Sequence, residues 1–473
     1  MEHLFIFKFG GSCLKNKQSM ENTIQILDHY INNGKIIIVT SAFYGVTDKL
    51  IDWINYSTDL RTESESENKL LGIKDFHKEI ISNMISKKDL KTESLKYLDE
   101  RFKELKSKIP ELVHENLNKE IKDFILSYGE RLSTYIYSIY LLDNGYKAQF
   151  FSTDDDLIIT NKFFGNALPI LEKIETNIPL KLRSALDKNI IPIISGYYGV
   201  SEDGKITTLG RGGTDFSATI VGYALSEIYD VKVIFWKDVY GLLSANPKFE
   251  CHAKLVERVS FKEAKELAFF GSKIIHPLCL NTAEIKDIKV ELRNFNDPFA
   301  PKSTIITKQG NEHESVIKAI TTIEKISMIT IEGEAMVSLP GTAAKVFSII
   351  GENDININFI SQSSSENNIT FGVSQKDGFR AGNVLANSKY FGNRWLQIKV
   401  DHEMSLVAVV GEGMQHRKGI AGKVFSTLGD VDVNVVAIAQ GSSELNITFV
   451  IDQEDLEKAI KGLYHTFIIN NGH

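Results

Sequence analysis

The sequence predicts a three-layer α/β/α sandwich followed by two small βαββαβ units. Three observations carry that class. Over roughly the first 300 residues, apolar runs alternate with helical patterns, and several runs are apolar throughout, as strands buried on both faces are. The C-terminal third repeats itself without a gap at a spacing of 78 positions: Gly341 recurs as Gly419, Lys345–Ser348 as Lys423–Ser426, Gln362 as Gln440 and Asn368–Phe371 as Asn446–Phe449. The length, 473 residues, suits two to four domains at about 100–200 residues each.

Taken in order, the strands expected in the first part are Leu4–Phe9, Lys35–Thr40, Ala148–Phe151, Ile190–Ser195, Lys232–Trp236 and Lys289–Arg293. Between them, Glu120–Leu142 carries an apolar stripe of helical period, with Gly145 as its stop. Phe216–Leu225 is a second helical pattern, and Ser260 with Glu263 forms a capping box that opens a helix ending at Gly271. Residues 55–120 are charged and helix-rich and read as an outlying lobe, with the polar tract Arg61–Lys69 as a mobile connection. In each repeat a β-type run (Met328–Glu332; Leu406–Val410) precedes a glycine-opened helix (Gly341–Gly351; Gly419–Gly429) and two strands. The second copy lacks a closing strand, and Val316–Ile323 is the run available to supply it. The expected domains are 1–300, a linker over 301–315, then 316–400 and 401–473.

Composition excludes several function classes. Apolar residues are 43% and charged residues 24%, values of an ordinary globular chain. Lys plus Arg is 54 against 61 for Asp plus Glu, a net charge of −7, so no basic excess points to nucleic acid or an anionic membrane. Cys13, Cys251 and Cys279 form no CxxC pair and no zinc-type spacing, which fits reduced thiols and no protein-held metal. The N-terminus, Met1–Phe9, lacks the basic start of a signal peptide, and no run of about 18 apolar residues exists. The expectation is a soluble cytoplasmic protein with small-molecule partners.

Several phrases carry chemistry. Lys8-Phe9-Gly10-Gly11-Ser12 ends the first strand, where glycines let backbone N–H groups approach an anion and the lysine adds charge. It is neither a Walker P-loop nor a dinucleotide fingerprint. Thr208-Leu209-Gly210-Arg211-Gly212-Gly213-Thr214-Asp215 runs into a helix, making an anion cradle, although Asp215 also suits a plain N-cap. Trp236–Leu242 and Phe270–Pro277 follow an apolar strand and a helix. Ser41–Thr47 follows the second strand, and Glu130 lies in the long helix beside its apolar stripe, where a carboxylate needs a cation unless it sits on the exposed edge.

Together these phrases, in this order, resemble the aspartokinases of the amino acid kinase family, whose fold is an α/β/α sandwich (acetylglutamate kinase-like). The repeat resembles a tandem pair of ferredoxin-like ACT domains, with Ile360–Glu366 and Ile438–Glu444 as its most specific phrases. The resemblance implies an ATP-dependent phosphotransferase acting on the β-carboxylate of aspartate. By that resemblance Lys8, Gly10, Gly11 and Ser12 hold the ATP phosphates and Asp215 organises Lys8. Arg211 pairs with the substrate α-carboxylate, Glu130 with its ammonium, and Ser41, Thr47 and Thr214 complete the substrate contacts. Lys237, Asp238, Gly241, Lys248 and Lys273 fall where the family contacts nucleotide, and Mg²⁺ is expected to arrive with ATP. Departures from the family occur at Ser12-Cys13-Leu14, Leu243 and Asn246-Pro247-Lys248, and Cys13 reads as a small buried neighbour of the loop.

The ACT pair implies an amino-acid effector, threonine or lysine, and a homodimer formed through these domains. Gln362 and Gln440 resemble the threonine-binding glutamines of threonine-sensitive members, with Gly341, Asn356, Asn358 and Asn434 as further effector contacts. Two alternatives stay open: a kinase for another small carboxylate such as glutamate or N-acetylglutamate, and a non-catalytic amino-acid sensor.

Overall fold

The computed structural model describes residues 1–59, 62–114, 117–270, 274–310, 316–333, 341–362, 368–391 and 397–470. In chain order the elements are β1 (His3–Phe9), α1 (Lys17–Tyr30), β2 (Lys35–Thr40), α2 (Val46–Asp59), α3 (Glu63–Met84), α4 (Lys88–Lys106), α5 (Ile109–His114), α6 (Lys119–Asp143), β3 (Ala148–Phe151), β4 (Ile159–Thr160), α7 (Leu171–Asp187), β5 (Ile191–Ser195), β6 (Tyr198–Ser201), β7 (Ile206–Thr208), α8 (Gly213–Leu225), β8 (Asp230–Lys237), β9 (Arg258–Ser260), α9 (Phe261–Phe269), α10 (Pro277–Ile285), β10 (Lys289–Asn294), β11 (Thr304–Thr307), β12 (Ala319–Glu332), α11 (Thr342–Glu352), β13 (Ile357–Gln362), β14 (Asn368–Ser374), α12 (Gln375–Ala386), β15 (Gln397–Val410), α13 (Ile420–Asp430), β16 (Ala437–Ala439), β17 (Asn446–Asp452) and α14 (Leu456–Tyr464). The chain forms two compact units, one of residues 1–242 with 274–308, the other of 243–273 with 309–473.

In the first unit the strands run β3-β5-β2-β1-β8-β10-β11. All neighbours are parallel except β10 and β11. The chain moves from β1 to one side through α1 and β2, and later returns to β1's other side as β8. That reversal leaves a crevice at the carboxyl ends of β1, β2 and β8, where open α/β sheets bind ligands. The phrases after these strands, Gly10–Ser12, Ser41–Thr47 and Lys237–Gly241, therefore start from one end of the sheet. Beneath them Phe7, Phe9, Tyr30 and Trp236 pack with ring centroids 5.1–6.5 Å apart. A separate three-stranded sheet, β4-β6-β7, carries the chain toward α8.

Three expectations change. The stretch 301–315 is not a plain linker: Thr304–Leu292 and Ile306–Val290 pairs make β11 an antiparallel strand on β10, and 311–315 lie outside the described residues. The boundary at 300 does not hold in space, because residues 243–270 fold with the C-terminal part. Tyr464 anchors them there. Its hydroxyl donates to the His252 carbonyl at 2.8 Å and lies 3.2 Å from the Ser244 hydroxyl, while the Glu412 N–H donates to Glu263 at 2.8 Å. Finally, the described part of the polar tract Arg61–Lys69 starts α3 instead of a mobile connection, its acids Glu63 and Glu65 suiting the positive end of the helix.

In the second unit six strands run β13-β14-β12-β15-β17-β16. Strands β12 and β15 are each 14 residues long and serve both repeats. Ala319–Ile323 pairs with Leu406–Val410, and Met328–Glu332 with Gln397–Asp401. The kink between these halves falls at equivalent residues, Lys325 (φ 57°) and Glu403 (φ 60°), as do the helix-entry glycines Gly341 (φ 87°) and Gly419 (φ 86°). The repeat is thus expressed in the backbone as well as the letters. The outer strands β13 and β16 approach one another, Ser361 donating to the Ile438 carbonyl at 3.3 Å. Among the described residues no helix is long and apolar enough to cross a membrane.

Gly411 ends β15 against the backbone that enters β12; a Cβ there would lie 2.3 Å from the Val316 carbonyl oxygen and 2.9 Å from the Ile317 Cα. Gly411→Val should lower the unfolding midpoint in a denaturant titration by the equivalent of roughly 1–3 kcal/mol; an unchanged midpoint would show that the shared strand is not held at this point.

Candidate functional site

The crevice is built around Asp215. Lys8 is the penultimate residue of β1 and lies in register with Phe235 of β8. Lys237 is two residues beyond Phe235, so the two-residue period of strands places both lysines on one face. Asp215, in the first turn of α8, stands between them: Lys8 Nζ is 2.7 Å from Oδ1 and Lys237 Nζ is 2.8 Å from Oδ2. All three are largely buried, with side-chain exposures of 9% for Lys8 and Asp215 and 17% for Lys237. Burial presses the Lys8 pKa down, but the Asp215 carboxylate outweighs it and holds the lysine above its ordinary value. Burial and the neighbouring Lys8 charge push Lys237 below its ordinary value. Burial favours the neutral acid at Asp215, yet the two ammonium groups overcome it and keep the carboxyl below its usual range. Asp215 is not the helix N-cap; Gly212 (φ 73°) is, which frees the carboxylate for the lysines.

Next to this triad lies a cavity of about 680 Å³ whose lining includes Lys8, Ser41, Thr47, Glu130, Arg211, Thr214 and Asp215. They converge from four parts of the scaffold: the end of β1 (Lys8), the segment after β2 (Ser41, Thr47), α6 (Glu130) and the entry to α8 (Arg211, Thr214, Asp215). Ser41 follows β2, its N–H bonded to the Phe9 carbonyl at 3.0 Å. Arg211 sits between Gly210 (φ 74°) and Gly212 (φ 73°), left-handed positions that favour glycine. It is exposed and has no carboxylate partner among the described residues, leaving its planar fork for a ligand carboxylate.

Glu130 is the anionic pole. It is 3% exposed, so the exposed-edge alternative fails. Its Oε1 accepts from the Ser41 hydroxyl at 3.4 Å, and its Oε2 has no hydrogen-bond partner among the described residues. Its sequence neighbour Arg131 turns away, between the Tyr128 and Tyr198 rings at 5.0 and 5.1 Å, and pairs with Asp154 at 2.9 Å. Burial lifts the Glu130 pKa to about 8, against opposing help from the Ala42 amide, the Ser41 hydroxyl and Lys8. A buried carboxylate with an unmatched oxygen at a cavity wall is a receptor for a cationic group. Gly129 sets its depth: a Cβ there would meet Ala42 Cβ at 2.9 Å.

The remaining sequence candidates divide. Gly10, Gly11 and Ser12 form the turn after β1, the Cys13 N–H closing on the Gly10 carbonyl at 2.9 Å. Cys13 is buried, as expected, and burial pushes its thiol up to about 11. Asp238 is exposed and Gly241 buried on the turn after β8. Lys248 lies in the second unit and pairs there with Glu324 at 2.6 Å; Lys273 lies outside the described residues. Of the effector candidates, Asn358 and Gln362 are on β13, Gln440 follows β16, and Gly341, Asn356, Gln362, Asn434 and Gln440 are exposed. Much of the phrase after Gln362, residues 363–367, is outside the described residues.

Several cavity residues escaped the sequence reading, among them Lys119, Lys122, Tyr197 and Asp123. Tyr197 lines the wall with φ 74°, a conformation that no letter marks. Asp123 is 1% exposed and accepts hydrogen bonds from Gly165 and Thr208. Burial holds its carboxyl above the ordinary value while those bonds oppose it. Its spacing of seven residues from Glu130, two helical turns, was the available signal.

Glu130 also predicts a pH effect on the ligand-free protein. Its folded pKa, about 8, exceeds the ordinary 4.5, so its contribution to stability is intact at low pH and is lost as pH rises through about 8. Glu130→Gln should flatten the decline of stability between about pH 5 and 8, a difference on the order of a few kcal/mol. Equal pH slopes for both proteins in denaturant titrations would place Glu130 in water.

Comparison with known proteins agrees with this architecture. The amino acid kinase family model matches residues 3–294, and the ACT domain model matches 329–388 and 407–467. The chain is 29% identical over 475 residues to a chloroplastic bifunctional aspartokinase/homoserine dehydrogenase of Daucus carota, covering 98% of this chain and 51% of that protein. It is 29% identical over 468 residues to Aspartokinase 2, chloroplastic, of Arabidopsis thaliana, covering 98% of this chain and 84% of that one. The chain thus spans about half the length of the bifunctional relatives it matches. Among solved structures, Clostridium acetobutylicum aspartate kinase superposes with a TM-score of 0.76 at 25% identity, covering 98% of this chain and 99% of that one. E. coli aspartokinase III in complex with lysine and aspartate superposes with a TM-score of 0.82 at 23% identity, over 99% and 100% of the two chains. With its kinase model spanning more than half the sequence, over a cavity closed by the Lys8–Asp215–Lys237 triad, the chain belongs to the amino acid kinase family and carries two ACT domain segments.

Proposed function

We propose that the chain is an aspartate kinase, converting ATP and L-aspartate to ADP and 4-phospho-L-aspartate, the entry to the lysine, threonine and methionine branches. The observation that carries this reading is polarity within one cavity: a buried acid, Glu130, with one oxygen unmatched among the described residues, and Arg211, without a carboxylate partner among them, beside a lysine-rich end. An α-amino acid offers an ammonium to the first and an α-carboxylate to the second, leaving its side chain free. Ser41, Thr47 and Thr214 then serve as further substrate contacts. The likeness to Arabidopsis aspartokinase 2 over 84% of that protein supports the same substrate.

The side-chain carboxylate is ionised at neutral pH and needs no general base. Positioning and charge stabilisation suffice for in-line phosphoryl transfer. Lys8, fully charged beside Asp215, faces the transferring group; the amides of Gly10 and Gly11 and the Ser12 hydroxyl take phosphate oxygens; Lys237, Asp238 and Gly241 extend the nucleotide side. The Asp215 carboxylate is engaged by two lysines, so Mg²⁺ would arrive with the nucleotide and would supply neutralisation of phosphate charge.

The ACT pair acts as the sensor, with threonine favoured over lysine because Gln362 and Gln440 occupy equivalent strand ends and Asn358 supplies no acid for a lysine ammonium. Gly341, Asn356 and Asn434 complete that effector set. A cytoplasmic homodimer through the ACT sheets belongs to the same reading, with Ile360 and Ile438, 49% and 46% exposed on the outer strands, as apolar contact surface.

ATP-dependent acyl-hydroxamate formation with aspartate, glutamate and N-acetylglutamate tests this. Aspartate should be the preferred acceptor, threonine should inhibit, and Lys8→Ala should lower kcat by about 10²–10³. Preference for N-acetylglutamate, whose acylated nitrogen carries no charge for Glu130, would refute the substrate. Turnover on none would favour the sensor, and inhibition by lysine with threonine inert would refute the effector.

A further inference from the structure

We propose that Asp123 is the positioning residue of the amino-acid end of the cavity, locking the helix that carries Glu130 to the segment that carries Arg211. This rests on the kinase reading above. Asp123 lies two turns before Glu130 on the same face of α6. Its Oδ2 accepts the backbone N–H groups of Gly165 and Thr208, both at 2.7 Å, and its Oδ1 accepts the Thr208 hydroxyl at 2.8 Å. Thr208 is the last residue of β7, three before Arg211. The Thr208 carbonyl in turn accepts the Ala167 N–H at 2.9 Å.

One buried carboxylate therefore satisfies three donors from two segments, and those segments close on the glycine that precedes Arg211. A Cβ on Gly210 would lie 2.6 Å from the Asn166 Oδ1 and 3.1 Å from the Gly165 carbonyl oxygen. The Leu209 N–H is fixed separately to the Tyr197 carbonyl at 2.8 Å. Asp123 is thus a side-chain link between the acidic pole on α6 and the cationic turn, its two oxygens already engaged by Gly165 and Thr208. A ligand with both charges on one carbon needs those poles at a fixed separation. Displacement of about 1 Å is enough to cost up to 10²-fold in such sites.

The test varies aspartate and ATP separately in Asp123→Asn and Thr208→Val. Asparagine can keep one acceptor oxygen for the two N–H groups but loses the charge and turns an amide donor toward the Thr208 hydroxyl, so the KM for aspartate should rise about tenfold or more while the KM for ATP stays within about twofold. Thr208→Val, which removes one bond of three, should move the aspartate KM in the same direction by less. Amide hydrogen exchange over residues 206–213 should also quicken in Asp123→Asn, a readout independent of the acceptor. An unchanged aspartate KM with unchanged exchange, or a proportional loss of both substrates' parameters, overturns the role. A wild-type chain inert toward aspartate refutes the kinase reading instead, and faster exchange in the variant would still uphold the Asp123 link.

Discussion

The site depends on one carboxylate between two cations. Bringing two ammonium groups out of water onto neighbouring strands is costly, and their mutual repulsion adds to it. Asp215, 2.7 and 2.8 Å from the two lysines, offsets one of those charges and leaves the cluster with one excess positive charge. That surplus is directed at the carboxyl ends of β1 and β8, where an anion completes the balance. The pKa directions say the same: Lys8 is held above its ordinary value and Lys237 below it. Any acceptor brought there meets a lysine that stays charged.

The rest of the crevice preserves that arrangement. The order of β2, β1 and β8 aligns three strand ends, and Thr214 beside Asp215 packs so closely on the β5 turn that a Cβ on Gly196 would lie 2.4 Å from its methyl carbon. Away from the triad the charge reverses. Glu130 is buried without a cation, and the arginine next to it is occupied by two aromatic rings and Asp154. The cavity is therefore polar, basic at Lys8 and Arg211, with Lys119 and Lys122 also on its lining, and acidic at Glu130, whose buried carboxyl ionises when a cationic group meets it.

How much of this is legible in the sequence follows from where each signal resides. Apolar runs such as Lys35–Thr40 and Ala148–Phe151 mark strands to the residue, although only the first is buried along most of its length and the second is an edge strand with Gln149 exposed. The repeat is legible because two copies can be compared, down to the kinks at Lys325 and Glu403. By contrast β6 and β7 are four and three residues long and partly polar, too short for periodicity to register. Asp123 reads like any acid on a helix until the segments it bonds, 42 and 85 residues away, are folded against it. That 243–270 fold with the C-terminal part is not legible near residue 300, because their anchor is a tyrosine some 210 positions later. Of the site residues, those in glycine-rich phrases at strand ends were readable, whereas those held by distant side chains were not.

The central claim is that Asp215 organises the phosphoryl end while the amino-acid end stands apart from it. The most direct measurement is a full initial-rate comparison of Asp215→Asn with the wild type. The account predicts a fall in kcat of about 10² or more, since the two lysines lose the charge that holds them, with the KM for aspartate changed by less than about threefold. A variant that keeps near-wild-type kcat, or one whose aspartate KM rises while kcat is retained, would contradict it.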